Sequence, residues 1–179
     1  SEFGPATIRA IDSSGNSVVF AGPGTIGSTP TGLEFGPGGA FGNDLYVIDR
    51  YGGIFTVDPS GTATPFSLSP SIYNAETLAF GDPATVFGEY LYVAEEGSGN
   101  ILRISPSGQV EVFASGFSFS TSGVTGLEFS ADGETLFVTA DDAPGSLYAI
   151  AQTGIIVLID VKPGSDPNCI NINGHGVIP

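Results

Sequence analysis

A four-fold repeat of one hairpin pattern constrains the fold of this 179-residue sequence more than any other feature. Each copy has two short apolar strands around a polar turn that contains glycine, and the copies begin at Ile8, Ile54, Ile101 and Leu147. These starting residues are 46, 47 and 46 residues apart. A period of about 40–50 residues is typical of repeats that form one blade each of a larger ring.

Two further strands precede three of the four hairpins. Strand A reads Gly-Leu-Glu-Phe or a close variant, and strand B reads Leu-Tyr-Val-x-acid or a close variant. One repeat is therefore four strands, A to D, whose apolar residues are spaced two apart, as in strands, and not 3.6 apart, as in helices. We predict that the apolar positions of all repeats form buried layers, including Leu33, Phe35, Leu78, Phe80, Leu127 and Phe129.

Four antiparallel strands per repeat, stacked around an axis, form a β-propeller. The sequence thus predicts an all-β chain of four-stranded antiparallel blades. It contains about three and a half of them, because the first hairpin lacks strands A and B. The propeller region is 6–159, with a half blade at 6–21 and blades at 31–67, 76–115 and 125–159.

An incomplete ring leaves strand edges bare, and closed propellers have four to eight blades. The chain is then a partial propeller, an oligomer-completed propeller such as a homodimer paired through its open blade edges, or a four-bladed ring closed by residues past Ile159. The tail at 160–179 carries neither strand signature, which makes closure by the tail the least favoured of the three.

The charge is strongly unbalanced, with 19 acidic residues against four basic ones and a net charge of −15. Such a field repels phosphate backbones and anionic membranes, so neither nucleic acid nor membrane is an expected partner. The acidity serves solubility, or it recruits Ca²⁺ or a cationic partner. One cysteine, Cys169, permits no internal disulfide.

The repeats resemble those of the NHL, streptogramin-lyase and gluconolactonase-like superfamily, and Thr31 to Pro65 carries the resemblance most clearly. The likeness implies the propeller fold, which hosts many functions. It also implies that a gluconolactonase-like enzyme would hold a divalent metal at the channel mouth, where Glu76 occupies the strand-A position of the Glu ligand. A streptogramin lyase would need a histidine site, and the one histidine, His175, lies in the tail.

Acidic residues recur in the loops before strand A and between strands B and C, which lie on one face of a propeller. Clustered oxygens suit Ca²⁺, the candidate cofactor, which takes six to eight of them. The alternative is that these acids are solvated or accept hydrogen bonds from turn N–H groups. The predicted metal ligands are Asn74, Glu76, Glu95 and Asp141, and the predicted ligand-binding face contains Asp49, Glu96 and Asp142.

Both ends of the sequence differ from the repeats. Residues 1–5 are typical of a cloning scar or a short extension. Val161 to Asn171 and Gly176 to Pro179 resemble the start of a module found in secreted bacterial proteins. This resemblance implies that 160–179 is the truncated start of another module, and that the protein is extracellular or periplasmic.

These observations favour a binding or scaffold module without a catalytic site, with an unknown ligand or protein as partner. A second hypothesis is a divalent-metal-dependent hydrolase of the lactonase type, with Glu76 as a ligand. A third is a structural repeat segment of a larger secreted protein. No Gly-x-Ser-x-Gly elbow accompanies His175, so a serine triad is not predicted.

Overall fold

The computed structural model describes residues 6–22, 24–51, 53–69, 72, 74–96, 98–117, 124–140, 145–151 and 156–159, the last four and residue 124 by their backbone alone. These residues form fourteen strands in one two-stranded and three four-stranded antiparallel sheets. Apart from one 3₁₀ turn at Gly39–Phe41, the described residues contain no helix. The predicted class, all-β with about three and a half blades, is confirmed.

Each sheet follows chain order, so that every strand pairs with the strand that comes next in the sequence of its blade. The half blade consists of β1 (Ile8–Ile11) and β2 (Ser17–Ala21). The strands of the first full blade are β3 (Pro30–Phe35), β4 (Leu45–Asp49), β5 (Gly53–Val57) and β6 (Ala63–Ser67).

The other two full blades repeat this order. The strands of the second are β7 (Ala75–Phe80), β8 (Leu91–Glu95), β9 (Asn100–Ile104) and β10 (Val110–Ala114). Those of the third are β11 (Val124–Phe129), β12 (Thr135–Ala140), β13 (Ser146–Ala151) and β14 (Ile156–Ile159).

The core consists of three apolar layers, one at each interface between neighbouring sheets. Strand B shows why: every residue of β4 and of β8 is buried. Leu45 and Val47 pack toward the half blade, whereas Tyr46 and Ile48 pack toward the second blade. Alternate side chains of a strand point to opposite faces, so each B strand joins two layers of the core.

The prediction that Leu33 and Phe35 are buried is wrong: they are 58% and 67% exposed. Leu78 and Leu127, the counterparts of Leu33, are 6% and 5% exposed, and Phe80 and Phe129, the counterparts of Phe35, are partly buried. Leu78 packs against the blade that precedes its own. Among the described residues, the half blade that precedes Leu33 consists of β1 and β2 alone, and neither strand covers Leu33 and Phe35.

Candidate functional site

The loops that precede strand A and those that join strand B to strand C lie on one edge of the sheets, here called the loop face. Asp49 and Glu95 end strands B of the first two blades, and Glu76 is the second residue of strand A in the second blade. Antiparallel pairing brings the end of B beside the start of A, with Asp49 opposite Pro30 and Glu95 opposite Ala75.

Arg50 joins two acidic residues across the boundary between the first and second blades. Its Nη2 lies 2.7 Å from Glu76 Oε1 and also forms an ion pair with Glu96 Oε2. About a quarter of each of the three side chains is exposed. The single guanidinium therefore offsets two carboxylates, and the group keeps one net negative charge.

The backbone around Asn74 holds this group in place. The Asn74 N–H donates to the Arg50 carbonyl, and the Glu96 N–H donates to the Asn74 carbonyl, both at 2.8 Å. Asn74 is the one non-glycine residue in the described ranges with positive φ, at 56°. Asparagine tolerates this conformation better than most residues. In it, the backbone of Asn74 links the B–C loop of Arg50 to the B–C loop of Glu96.

The strand-B acids Asp49 and Glu95 have local partners. Asp49 Oδ1 accepts a hydrogen bond from the Thr29 N–H at 2.8 Å, and Glu95 Oε2 accepts one from the Ser98 hydroxyl at 2.8 Å. Both acids are buried. Gly27, at φ 80°, packs against Asp49 so closely that a Cβ there would overlap the carboxylate. Asp49 thus fixes the loop that enters strand A.

The structure brings three predicted site residues together: Asn74, Glu76 and Glu96. Asp141 and Asp142 lie outside the described residues. No group of three or more His, Cys, Asp or Glu side chains in the described part of the chain is arranged to hold a metal ion. The metal site assigned to Glu76, Asn74, Glu95 and Asp141, and calcium with it, stays a prediction.

Arg50 is the site residue that sequence reasoning missed. It is one of only four basic residues, and it stands in a B–C loop directly after Asp49. A lone cation in that position attracts the nearest carboxylates, and this was the available signal.

An exposed apolar surface adjoins the ion-paired group. The Arg50 guanidinium lies 5.9 Å from the centre of the Tyr51 ring. Tyr51 is 53% exposed and Leu68 57% exposed. Leu68 lies against Gly53, two residues after Tyr51 in the sequence, since a Cβ at Gly53 would lie 3.1 Å from Leu68 Cα. Arg50, Tyr51, Leu68, Glu76 and Glu96 are called the loop-face patch below.

A second pair of acidic residues, Glu34 and Glu128, lies on strands A. Burial and, to a smaller extent, the nearby charge of Glu128 together raise the pKa of Glu34 to about 7. A backbone hydrogen bond from Phe80 acts in the opposite direction. Glu34 and Glu128 hold the same position in strands A of the first and third blades. One carboxyl of this pair therefore changes charge near neutral pH.

No family model matches the chain, and no curated protein matches it. Solved structures do match it. Virginiamycin B lyase from Staphylococcus aureus, as the selenomethionine-substituted protein, matches with a TM-score of 0.61 and 18% identity over 88% of this chain and 50% of that chain. A catalytically inactive form of this lyase with quinupristin matches with a TM-score of 0.65 and 18% identity, over 90% of this chain and 50% of that one.

A protein from Lactobacillus plantarum matches with a TM-score of 0.56 and 19% identity, over 87% of this chain and 50% of that chain. The chain has the β-propeller fold that these structures share. At such low identity the likeness shows the fold alone. The chain spans about half the length of these solved structures. Within its described part, no helix has the length and apolar character needed to cross a membrane.

Proposed function

We propose that this chain is an extracytoplasmic β-propeller module that binds a cationic ligand with an apolar part, and that the loop-face patch is its binding surface. The observation that carries the proposal is the position of exposed Tyr51 beside a group of two carboxylates and one guanidinium, with exposed Leu68 against nearby Gly53. An aromatic ring and an aliphatic side chain offer apolar contact, and the surplus carboxylate offers charge.

The charge of the whole chain supports a cationic ligand. With a net charge of −15, the molecule attracts cations over several ångströms and repels anions. Such attraction raises the association rate and weakens as salt is added, because the Debye length falls from about 10 Å at 0.1 M to about 3 Å at 1 M. A basic peptide segment with leucine or aromatic side chains has the required chemistry.

The contacts of the carboxylates favour binding over metal-dependent hydrolysis. Glu76, the ligand that a gluconolactonase-like site would use, lies 2.7 Å from Arg50 Nη2. A divalent cation at Glu76 would have to displace this guanidinium or lie close to it, and like charges repel. Asp49 and Glu95 are oriented by their own loops. The hydrolase is therefore the alternative that the experiment must separate.

The test is a titration of the full chain with a fluorescent peptide of alternating Lys and Leu, and with its Glu and Leu counterpart. We expect only the lysine peptide to bind, with an affinity that falls at least ten-fold between 50 mM and 500 mM salt. Tyr51→Ser with Leu68→Ser should weaken binding about ten-fold. The matched control is Val86→Ser with Val112→Ser, which removes apolar side chains of similar exposure elsewhere.

Three outcomes would overturn the proposal. Equal losses in the two double variants would show that the patch is not the surface. Failure of the lysine peptide to bind would leave the structural repeat segment as the better hypothesis. Calorimetric binding of Ca²⁺ that is lost in Glu76→Gln, together with hydrolysis of a lactone substrate, would establish the metal-dependent hydrolase. Fractionation of cells that express the natural gene tests the extracytoplasmic location.

A further inference from the structure

Four aromatic rings close the interface between the first and second full blades. Phe41 precedes strand B, Tyr46 lies within it, Phe66 lies in strand D, and Phe80 ends strand A of the next blade. Their ring centres are 5.0–6.0 Å apart in five pairs. The Tyr46 hydroxyl donates to the Phe41 carbonyl at 2.8 Å, which fixes the loop that carries Phe41.

The same four positions are aromatic at the interface between the second and third blades. Phe87, Tyr92, Phe113 and Phe129 have ring centres 4.9–5.9 Å apart in five pairs. The Tyr92 hydroxyl donates to the Phe87 carbonyl at 2.6 Å. In both sets the phenylalanine stands five residues before the tyrosine. Edge-to-face packing of this kind adds stability beyond the buried area.

The interface between the half blade and the first blade has only two of these four rings. Phe20 takes the strand-D position and Phe35 the strand-A position. The positions of the strand-B tyrosine and its partner phenylalanine are not filled by the described residues. Instead, Phe20 and Phe35 line a cavity of about 260 Å³ together with Leu45 and Val57. A cavity of about 150 Å³ holds benzene, so there is room for an aromatic side chain.

Strand β1 shows the same incompleteness. It pairs only with β2, whereas its counterparts β5 and β9 each pair on both sides. Ile11 is 70% exposed, while its counterparts Val57, Ile104 and Ile150 are buried. A bare strand edge beside exposed Ile11, Leu33 and Phe35 is a surface that another strand completes.

We propose that this surface is a docking site for an A–B β-hairpin supplied by another polypeptide segment, one that carries Phe and Tyr five residues apart. Tyr46 pairs with Thr56, and Tyr92 with Arg103. Ala10 occupies the same repeat position as Thr56 and Arg103. The tyrosine of the docked hairpin therefore pairs with Ala10. Its ring and that of its phenylalanine complete the set with Phe20 and Phe35.

The two complete interfaces within the chain identify the occupant, since they show what covers this face when it is covered. The A–B hairpins of the three full blades are already paired within their own sheets. Residues 149–179 contain no Phe, Tyr or Trp. Neither these hairpins nor the tail supplies the missing rings. The site lies on the first blade interface and is independent of the loop-face patch.

The experiment adds the hairpin to the full chain. A copy of residues 30–49 is fused ahead of residue 7, through a copy of the three-residue loop, 50–52, that joins β4 to β5. Two fusions are compared, one with the native hairpin and one with Phe41→Ala and Tyr46→Ala in the added copy only. We expect the native hairpin to raise the urea midpoint of the half blade and to protect the amide of Ile11, which faces the free edge of β1, at least ten-fold against hydrogen exchange. The ringless hairpin should do neither.

The same hairpin as a free, labelled peptide gives the binding readout. Phe35→Ser in the chain should weaken its binding at least ten-fold, whereas Val112→Ser should leave it unchanged. Phe35 is two-thirds exposed, so its replacement leaves the fold intact. Equal urea midpoints for the two fusions would overturn the proposal. A concentration-dependent dimer of the unfused chain that Phe35→Ser abolishes would overturn it too, in favour of a second copy of this chain as occupant.

Discussion

Arg50 and Glu76 form a 2.7 Å ion pair that crosses from the B–C loop of one blade to strand A of the next. Arg50 also pairs with Glu96, in the B–C loop of that next blade. One side chain thus ties together two successive repeats on the loop face. This contact stabilises the stacking of the blades in addition to forming part of the proposed binding surface.

Arg50→Ala should lower the free energy of unfolding by about 1–2 kcal/mol, because Glu76 and Glu96 are left as neighbouring carboxylates without a cation. Urea unfolding followed by circular dichroism measures the change. Arg9→Ala is the control, since it removes the same charge from an exposed residue whose hydrogen bonds reach only Ser17. The excess loss in the Arg50 variant should shrink in 1 M salt. Equal losses in the two variants would show that the pairing adds no stability.

Glu34 should make the protein less stable as pH rises toward neutrality. Its pKa in the folded chain is about 7, above its ordinary value of 4.5. Between these pH values the folded chain holds a proton that the unfolded chain has lost, so the free energy of unfolding falls as pH rises. Allowing for solvent screening, the fall is about 1–2 kcal/mol between pH 5 and 8.

Glu34→Gln removes this ionisation, and the variant should be more stable than the parent at pH 8 but not at pH 4.5. Glu128→Gln is the graded control, because burial of Glu34 is the larger cause of the raised pKa and persists in that variant. We expect Glu128→Gln to retain most of the pH dependence. Parallel stability curves for the parent and Glu34→Gln would contradict the prediction.

The architecture could be predicted well from the sequence because the patterns of strands A to D occur in the same order in each full repeat. Strand B reads Leu-Tyr-Val in two repeats, and both copies form fully buried strands. The prediction was wrong for Leu33 and Phe35 for a physical reason. A repeat pattern shows which side chains would be buried by a neighbour, but burial requires the neighbour to be present. Strands A and B of the half blade are absent from the described fold.

The candidate site was less predictable. The position of Glu76 in its strand followed from the repeat, and so did its place on the loop face. Its pairing with Arg50 did not, because two flexible side chains from different repeats must meet. Asp49 and Glu95 looked like surface acids in the sequence, yet both are buried with hydrogen bonds to backbone or hydroxyl groups. Their role depends on loop geometry that single-residue patterns do not encode.

Tyr92→Phe should destabilise the fold by about 1–2 kcal/mol, because it leaves the Phe87 carbonyl without its hydroxyl donor while keeping the ring. That hydroxyl lies 2.6 Å from the carbonyl oxygen, and burial raises the pKa of Tyr92 to about 12. Tyr90→Phe is the control, since Tyr90 is only partly buried. Urea unfolding measures the loss, and ultraviolet titration should show one phenol fewer ionising near pH 12. No difference between the variants would mean that the hydroxyl does not hold the loop.

Gly61→Ala should be more destabilising than Gly15→Ala, although the two glycines occupy the same turn of the repeat at φ 83° and 84°. Positive φ costs each alanine about 1–2 kcal/mol. At Gly61 the added methyl would also overlap the Phe20 carbonyl of the half blade, whereas nothing lies within 4 Å at Gly15. The difference between the two variants in urea unfolding therefore measures how tightly the half blade packs on the first blade. We expect the free energy of unfolding of Gly61→Ala to be lower than that of Gly15→Ala by at least about 1 kcal/mol.

Gly108→Ala extends the comparison to the next interface, where a Cβ would lie 2.9 Å from the Phe66 carbonyl oxygen. This contact is less close than the one at Gly61. Gly108→Ala should therefore lower the free energy of unfolding by more than Gly15→Ala does and by less than Gly61→Ala does. Hydrogen exchange adds a local readout: Gly61→Ala should release the amides of β1 and β2, and Gly108→Ala should leave them protected. Equal losses at Gly15 and Gly61 would contradict the packing of the turn against Phe20, and with it the layer that joins the half blade to the rest of the fold.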